Sequence, residues 1–227
     1  AQDVSATQNA EKPRKYFWSG DWYLKVGAAG FYAPKFDGSK SYRLFGEPLF
    51  ELGRQGEAER FSSRNDNISW ALIDNDRFRV GPVGQLVFKR GDTIKGLNDT
   101  KFGAEAGVFV DVYPTDWMRV RSEVRHGIVA HNGVVADFAA DAFYDVTPKI
   151  RISGGPRATV ASKDYFRTYY GVNAEEAAAS GLSEYKPSGG LQSVGVGGPV
   201  AWATTEKIDT SLYDGCRRLQ GPRRDSS

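Results

Sequence analysis

The chain has 227 residues, of which 40% are hydrophobic and 26% are charged, and this composition suits one large all-β domain better than two small domains. Thirty Lys and Arg against 28 Asp and Glu leave a formal charge of +2 without a long basic block, which argues against nucleic acid as a partner. A single cysteine excludes an internal disulfide framework, and the chain has no run of about 18 apolar residues that could form a transmembrane helix.

The first residues, 1–16, are polar and lack periodicity, and we expect them to form a disordered periplasmic tail. From residue 17 onward the chain alternates repeatedly between apolar and polar residues, which is the period of a β-strand. The predicted strands are residues 22–32, 42–52, 57–63, 67–73, 77–89, 102–112, 117–129, 134–146, 150–160, 194–202 and 206–218. About eleven strands predict one barrel domain over residues 17–219, followed by an irregular tail at 220–227.

Each predicted strand has one charged face and one apolar face. In residues 117–129 the charged face carries three arginines and one glutamate. Antiparallel pairing through the short connections places these arginines beside the carboxylates of the two neighbouring strands. The expected charge ladder consists of Glu105, Asp111, Arg119, Arg121, Glu123, Arg125, Asp137, Asp141 and Arg151.

Alternation alone does not say which face meets water. In an outer-membrane barrel the apolar face meets lipid and the charge ladder lines the lumen, where pairing and partial hydration lower the desolvation penalty. In a soluble lipocalin-like barrel the apolar face points inward and the charges are ordinary solvated surface.

The lengths of the connections favour the membrane barrel. Most even-numbered connections are tight, among them PTD, VTP and TTE, whereas several odd-numbered ones are long, and residues 161–189 form the longest. Outer-membrane barrels have short periplasmic turns and longer extracellular loops. At the short-turn end, Trp22, Tyr144 and Trp202 lie at apolar positions and are expected to form an aromatic interface girdle. Trp117 lies at the same end with the opposite parity, and it joins the girdle only if a bulge intervenes.

The long connection 161–189 contains the sequence GVNAEEAAASGL, in which Ala and Glu recur at helical spacing. Asn173 is a suitable N-cap and Gly181 a suitable C-cap, so we predict a short helix in this extracellular loop. The helix is either a lid that orders the loop or a recognition element or lumen plug on the outer face.

Residues suited to catalysis or metal binding are few. Ser122, Glu123 and His126 resemble the components of a hydrolase, but strand parity places Ser122 and His126 on the face opposite Glu123, so no triad forms. His131 lies in the sequence HNG, which hairpin geometry explains without a metal. The sequence therefore predicts no catalytic residue, no metal site and no cofactor.

Four stretches of the chain resemble the MipA/OmpV family of Gram-negative outer-membrane proteins. They are YRLFGEPLFE, NDNISWALIDNDRFRVGPVG, EVRHGIVAHNGVVADFAADA and SGGPRATVASKDYFRTYYGVNAEEAAASGLSEYKPSGGLQSVGVG, within a resemblance that runs from about residue 20 to about residue 213. The most specific block is TYYGVNAEEAAASGL at residues 168–182, which simple alternation does not produce. This loop motif includes Tyr169, Tyr170, Gly171, Val172, Ser180, Gly181 and Leu182.

The resemblance implies an antiparallel, up-and-down transmembrane β-barrel of about twelve strands. It also implies the role of the family's name-giving member, a scaffold that links a lytic transglycosylase to a murein synthase. Because about eleven strands are found before the ending GPRRDSS, we expect one strand of the family pattern to be missing and the C-terminus to be truncated or altered.

Three functions fit these observations. The first is a non-enzymatic outer-membrane protein of structural or scaffolding type, with outer-membrane lipid and periplasmic murein hydrolases or synthases as its partners. The second is a small-solute channel, and the third is a soluble ligand-binding barrel. The chain starts at Ala-Gln-Asp without a methionine, so we expect an exported protein whose signal peptide has been removed and which resides in the outer membrane.

Overall fold

The structure is a computed structural model that describes residues 22–34, 42–54, 61, 63, 66–87, 102–204 and 209–220. The predicted tail 1–16 and residues 221–227 lie outside the described residues, as does most of the predicted strand 57–63. The described strands are β1 (Trp22–Pro34), β2 (Tyr42–Arg54), β3 (Ile68–Ser69), β4 (Ile73–Asp74), β5 (Phe78–Val87), β6 (Gly103–Thr115), β7 (Met118–Gly127), β8 (Val134–Thr147), β9 (Ile150–Ala161), β10 (Gly190–Ala203) and β11 (Asp209–Leu219). Two helices, α1 (Lys163–Tyr170) and α2 (Ala174–Ser180), lie between β9 and β10.

The strands form an antiparallel, up-and-down architecture. Strands β1 and β2 pair with each other, and the remaining nine form one sheet in the order β11, β10, β9, β8, β7, β6, β5, β3, with β4 also paired to β5. This sheet is strongly curled into a half-barrel. The all-β barrel fold predicted from alternation is thereby confirmed.

The predicted strand 67–73 is interrupted by a β-bulge. Both of its parts pair with β5, but the register changes by one residue, from Ser69 opposite Val83 to Ile73 opposite Val80. A bulge inserts an unpaired residue and bends the strand. One predicted strand therefore appears as the two short strands β3 and β4.

Glycines allow the tight curl of the sheet. A Cβ atom at Gly107 would lie 1.8 Å from the carbonyl oxygen of Val124, and one at Gly155 would lie 1.8 Å from that of Ala140. Since both contacts are with the backbone of a paired strand, no side-chain rearrangement could relieve them. Glycine kinks of this kind let a sheet bend more sharply than side chains permit.

The connection between β9 and β10 contains the predicted helix and one that was not predicted. The predicted helix is α2, whose N-cap Asn173 accepts a hydrogen bond from the backbone N–H of Glu176, while the Glu176 side chain accepts one from the N–H of Asn173. Its C-cap Gly181 has φ of 74°, the left-handed conformation that favours glycine. The prediction of this helix and of both caps is confirmed.

Helix α1 packs against the adjacent ends of β8 and β9. Its fully buried Phe166 contacts Val135 of β8 and Ala161 of β9. This burial fixes α1 over the end of the sheet that carries the long connection. In the described part of the chain, no helix has the length and apolar character needed to cross a membrane.

Candidate functional site

The two faces of the curled sheet have the reverse of the usual polarity of a water-soluble protein. On the outer face, Val108 is 58% exposed and Phe138 is 46% exposed. On the inner face, Asp111, Arg119 and Asp141 are completely buried. Charged residues are almost never fully buried unless they are paired. The inner face buries several of them together, and it is therefore the candidate functional site.

Strand register places opposite charges directly across from one another at two positions of β7, although it also sets Glu123 opposite Asp137. Arg121 of β7 pairs with Asp111 of β6, and Arg119 of β7 pairs with Asp141 of β8. These are the neighbours that strand parity predicts for the two arginines. Cross-strand pairs of opposite charge stabilise a sheet at such positions.

Arg121 and Arg125 form the centre of the inner charge network. Arg121 Nη1 lies 3.0 Å from both carboxylate oxygens of Asp111, and its Nε lies 2.6 Å from Glu123 Oε1. Arg125 donates to Glu105 at 2.9 Å, to Glu123 at 2.5 Å and to Asp137 at 2.6 Å. Both guanidinium groups are therefore satisfied by carboxylates on several strands.

Arg157 belongs to the network although it was absent from the predicted ladder. Its Nη2 donates to Asp141 Oδ1, while Asp141 Oδ2 accepts from Arg119 at 2.7 Å. The signal was available in the sequence, since Arg157 has the same strand parity as Arg151. Arg151 forms a partly exposed ion pair with Asp145 at 2.6 Å, close to the β8–β9 turn.

A segment before β3, whose described residues are Phe61, Ser63, Asp66 and Asn67, contacts the inner face; we call these residues the inner segment. The Phe61 ring stacks on Phe143 with 4.6 Å between ring centroids, and Ser63 is buried. Asn67 donates to Glu123 at 2.7 Å. The alternation of residues 57–63 had suggested a strand, but neither Phe61 nor Ser63 lies in one.

Asp66 makes the strongest contact of the inner segment. Its two carboxylate oxygens accept from Nη1 and Nη2 of Arg119 at 2.5 and 3.0 Å, the bidentate geometry that suits an arginine fork. Burial alone would raise the pKa of the Asp66 carboxyl, but the charge and hydrogen bonds of Arg119, together with the charge of Arg121 and the N–H of Ser63, hold the pKa below its ordinary value. Asp66 is therefore the ionised partner of Arg119.

The predicted aromatic girdle lies partly on the outer face. Tyr144 is 68% exposed, Trp202 is also exposed, and Trp117 lines a shallow outward pocket together with Tyr144. The Trp22 side chain lies outside the described residues. At the other end of β1 and β2, Tyr32 and Tyr42 are exposed and stack with 5.3 Å between ring centroids, a pair that the sequence analysis had not assigned to an interface.

The loop motif contributes mainly to the local order of the long connection. Tyr169 of α1 contacts the ring of His131 with 5.5 Å between centroids, and Tyr170 packs against Phe166. Buried Val172 forms an isolated bridge with Tyr185. The Gly171 N–H donates to Arg167 O, and the Ser180 hydroxyl donates to Glu176 O. Gly181 is the C-cap of α2, and Leu182 is exposed.

The residues considered for a hydrolase, Ser122, Glu123 and His126, do not share one face of β7. His126 is exposed on the outer face, whereas Glu123 is buried within the network. His131 Nδ1 accepts the N–H of Gly133 at 3.0 Å and its Nε2 lies 2.9 Å from Glu105, so both ring nitrogens have partners. Among the described residues, no group of three or more His, Cys, Asp or Glu side chains is placed to hold a metal ion.

A curled, up-and-down sheet with an apolar outer face and a charged, internally paired inner face defines a protein of the β-barrel class. A family model described as "MltA-interacting protein MipA" matches residues 26–227. The chain therefore belongs to the MipA family, as its sequence motifs had indicated. Searches of curated proteins and of solved structures found no match.

Proposed function

We propose that this protein is a non-enzymatic outer-membrane barrel that holds murein-remodelling enzymes at the membrane. The observation that carries the proposal is the inverted polarity of the sheet. Exposed apolar side chains recur along β6, β7 and β8, whereas most charges on the same strands are buried, namely Glu105, Asp111, Arg119, Arg121, Glu123, Arg125 and Asp141. A contiguous exposed apolar surface of this kind marks contact with a membrane or a partner, and a barrel satisfies its backbone hydrogen bonds within lipid.

The same polarity argues against a soluble ligand-binding barrel. Such a barrel would bury the side chains of Val108, Val124 and Phe138, which are all exposed. It would also leave Arg119 and Asp141 in water, and both are fully buried.

The dense pairing of the inner face favours a scaffold over an enzyme or an open channel. The charged groups are bound to one another, and the inner segment covers part of this surface. The binding of partner proteins then depends on surfaces outside the network. The family is named for interaction with MltA, and we assign that type of contact to the short turns, which face the periplasm in an outer-membrane barrel.

The proposal is tested by photo-crosslinking in intact cells. A photoreactive amino acid is placed at Asp116 in the β6–β7 turn or at Pro148 in the β8–β9 turn, and the matched control carries it at exposed Glu175 in α2. We expect an adduct with a lytic transglycosylase of the MltA type from the turn positions and none from Glu175. Adducts with that enzyme from Glu175 alone, or recovery of the protein in the soluble fraction, would contradict the proposal.

A further inference from the structure

The completely buried Arg119 binds carboxylates of two different kinds. Asp141 belongs to β8 and is fixed by the sheet register, with 2.7 Å between Arg119 Nη2 and Asp141 Oδ2. Asp66 belongs to the inner segment and occupies both Nη atoms of the same guanidinium. One ligand of Arg119 is thus part of the sheet, and the other comes from a segment laid against it.

In its direct ion pairs, Arg119 has only part of one sheet carboxylate. Arg119 and Arg157 share Asp141 as their carboxylate from the sheet. Farther along the inner face the sheet supplies an excess of acids, since Arg121 and Arg125 meet the carboxylates Asp111, Glu123, Glu105 and Asp137. Asp66 therefore supplies the second carboxylate in direct contact with Arg119, and its Oδ1 also lies 3.8 Å from Arg121 Nε.

The position that Asp66 occupies has the features of a carboxylate-binding site. The Arg119 guanidinium lies 4.9 Å from the centroid of the Phe61 ring, which itself stacks on Phe143. Among the described residues, Arg119 Nε is buried without a hydrogen-bond partner, so the guanidinium retains an unused donor. A planar arginine fork with an aromatic ring beside it is well suited to recognise a planar carboxylate.

The contacts of Asp66 and Asn67 can be broken without leaving a sheet charge unpaired. If Asn67 leaves, Glu123 keeps its ion pairs with Arg121 and Arg125. If Asp66 leaves, Arg119 keeps Asp141 and gains an open, positively charged position. The Asp66 carboxylate can therefore be displaced from Arg119 at far lower cost than a strand residue of the network, while Phe61 stays beside the guanidinium.

We propose that Arg119 forms a binding site for the carboxylate of a small anionic solute, and that Asp66 fills this site as an internal ligand until the solute displaces it. The solute carries one negative charge at the bound group, because that group takes the place of one carboxylate, that of Asp66. This site is separate from the scaffolding role, since it lies on the inner face rather than at the short turns.

The test is chemical rescue of Asp66→Ala by formate, measured on the folded full chain in detergent. We expect Asp66→Ala to lower Tm, and formate to raise it again along a saturable curve, whereas chloride at equal ionic strength does not. The unaltered protein responds to formate only at higher concentrations, because formate must displace Asp66, and the absence of any saturable response there would contradict the displacement. The matched control is Asp145→Ala, which removes the carboxylate of the exposed Arg151 pair and gains no response to formate.

The Arg119→Lys exchange in the Asp66→Ala background separates specific binding from a general salt effect. We expect it to abolish the saturable response, because lysine cannot provide the bidentate fork. Should Asp66→Ala fail to fold, Asp66→Asn keeps the shape and removes the charge, and formate binding is then measured by titration calorimetry. Equal responses to formate and chloride, or a response that survives Arg119→Lys, would overturn the proposal and leave the turn crosslinks unaffected.

Discussion

Arg125 shows how a buried charge is tolerated on the inner face. Taking a guanidinium out of water costs several kcal/mol, and only close pairing with good hydrogen bonds offsets that cost. Arg125 meets this condition through Glu105, Glu123 and Asp137, which belong to three different strands. Its side chain therefore links β6, β7 and β8 on the inner face.

Replacing Arg125 with Met should destabilise the folded protein by about 3–5 kcal/mol, because three carboxylates lose a shared partner in a buried environment. The measurement is the free energy of unfolding in urea for protein inserted in lipid vesicles. The matched control is Arg151→Met, which breaks the partly exposed pair with Asp145 and should cost about 1 kcal/mol or less. Similar losses for the two variants would contradict the burial of the Arg125 network.

Strand parity was sufficient to predict which face most of these charges occupy. It assigned Arg121 and Asp111 to the same face because side chains alternate along a strand, and their pairing follows from a tight turn. It could not reveal Asp66, which lies outside the strands and reaches Arg119 across 53 positions of sequence. Contacts of that kind depend on how a connection folds back, and no periodicity records this.

At the scale of the element, the sheet curls where its glycines lie. Gly107 approaches the backbone of β7 so closely that a Cβ would overlap with Val124 O. Gly84 of β5 provides a comparison, since a Cβ there would meet Glu105 O at an ordinary distance of 3.6 Å. Of these two positions, Gly107 is therefore the one at which the fold requires a residue without a Cβ atom.

We expect Gly107→Ala to reduce the folded, membrane-inserted fraction strongly, because the added methyl group forces β6 and β7 apart. The control Gly84→Ala should change the stability by about 1 kcal/mol or less, since no steric conflict arises there. Protease resistance of the vesicle-inserted protein measures both variants. Equal resistance of the two would show that the close approach at Gly107 is not required.

The two helices differ in how much the sequence revealed. Helix α2 has a capping box and a C-terminal glycine, which are local signals. Helix α1 contains four aromatic residues that suit a strand as well as a helix, and its position depends on the burial of Phe166 against β8 and β9. The position of α1 is thus determined by tertiary packing, whereas the ends of α2 are indicated by local capping residues.

Removing the cap with Asn173→Ala should weaken α2 by about 0.5–2 kcal/mol, since the N–H of Glu176 loses its acceptor. Hydrogen exchange should show faster exchange in residues 174–180 and unchanged exchange in α1, which is anchored separately by Phe166. The control Glu175→Ala keeps the capping box and should leave exchange in α2 nearly unchanged. Loss of protection in α1 as well would mean that the two helices unfold together.

At the scale of the whole molecule, the apolar outer face is the feature that indicates the environment of the protein. Along β6 the exposed positions Val108, Val110 and Val112 alternate with the buried Phe109 and Asp111. A sheet with this arrangement has its apolar surface on the side that a soluble protein would keep polar.

Changing Val108 to Arg should impair insertion by about 2–4 kcal/mol, the cost of a charged side chain at the middle of the bilayer. The conservative control Val108→Leu keeps an apolar side chain at the same exposed position and should insert normally. Folding into lipid vesicles, followed by the fraction resistant to protease, measures both. Normal insertion of Val108→Arg would contradict the assignment of this face to lipid.

The pairing of Arg119 with Asp141 also bears on how the sheet assembles. The outer residues of β7 and β8 are mostly apolar, so they discriminate poorly between the correct alignment and one shifted by two residues, which preserves the two faces. Such a shift would place Arg119 opposite Ala139 or Phe143 instead of Asp141, but in one direction it would also place Arg121 opposite Asp141 and Arg125 opposite Asp137. Charge matching between β7 and β8 therefore does not select the alignment unaided, and a contact from outside the two strands, such as that of Asp66 with Arg119, distinguishes the native hairpin from the shifted one.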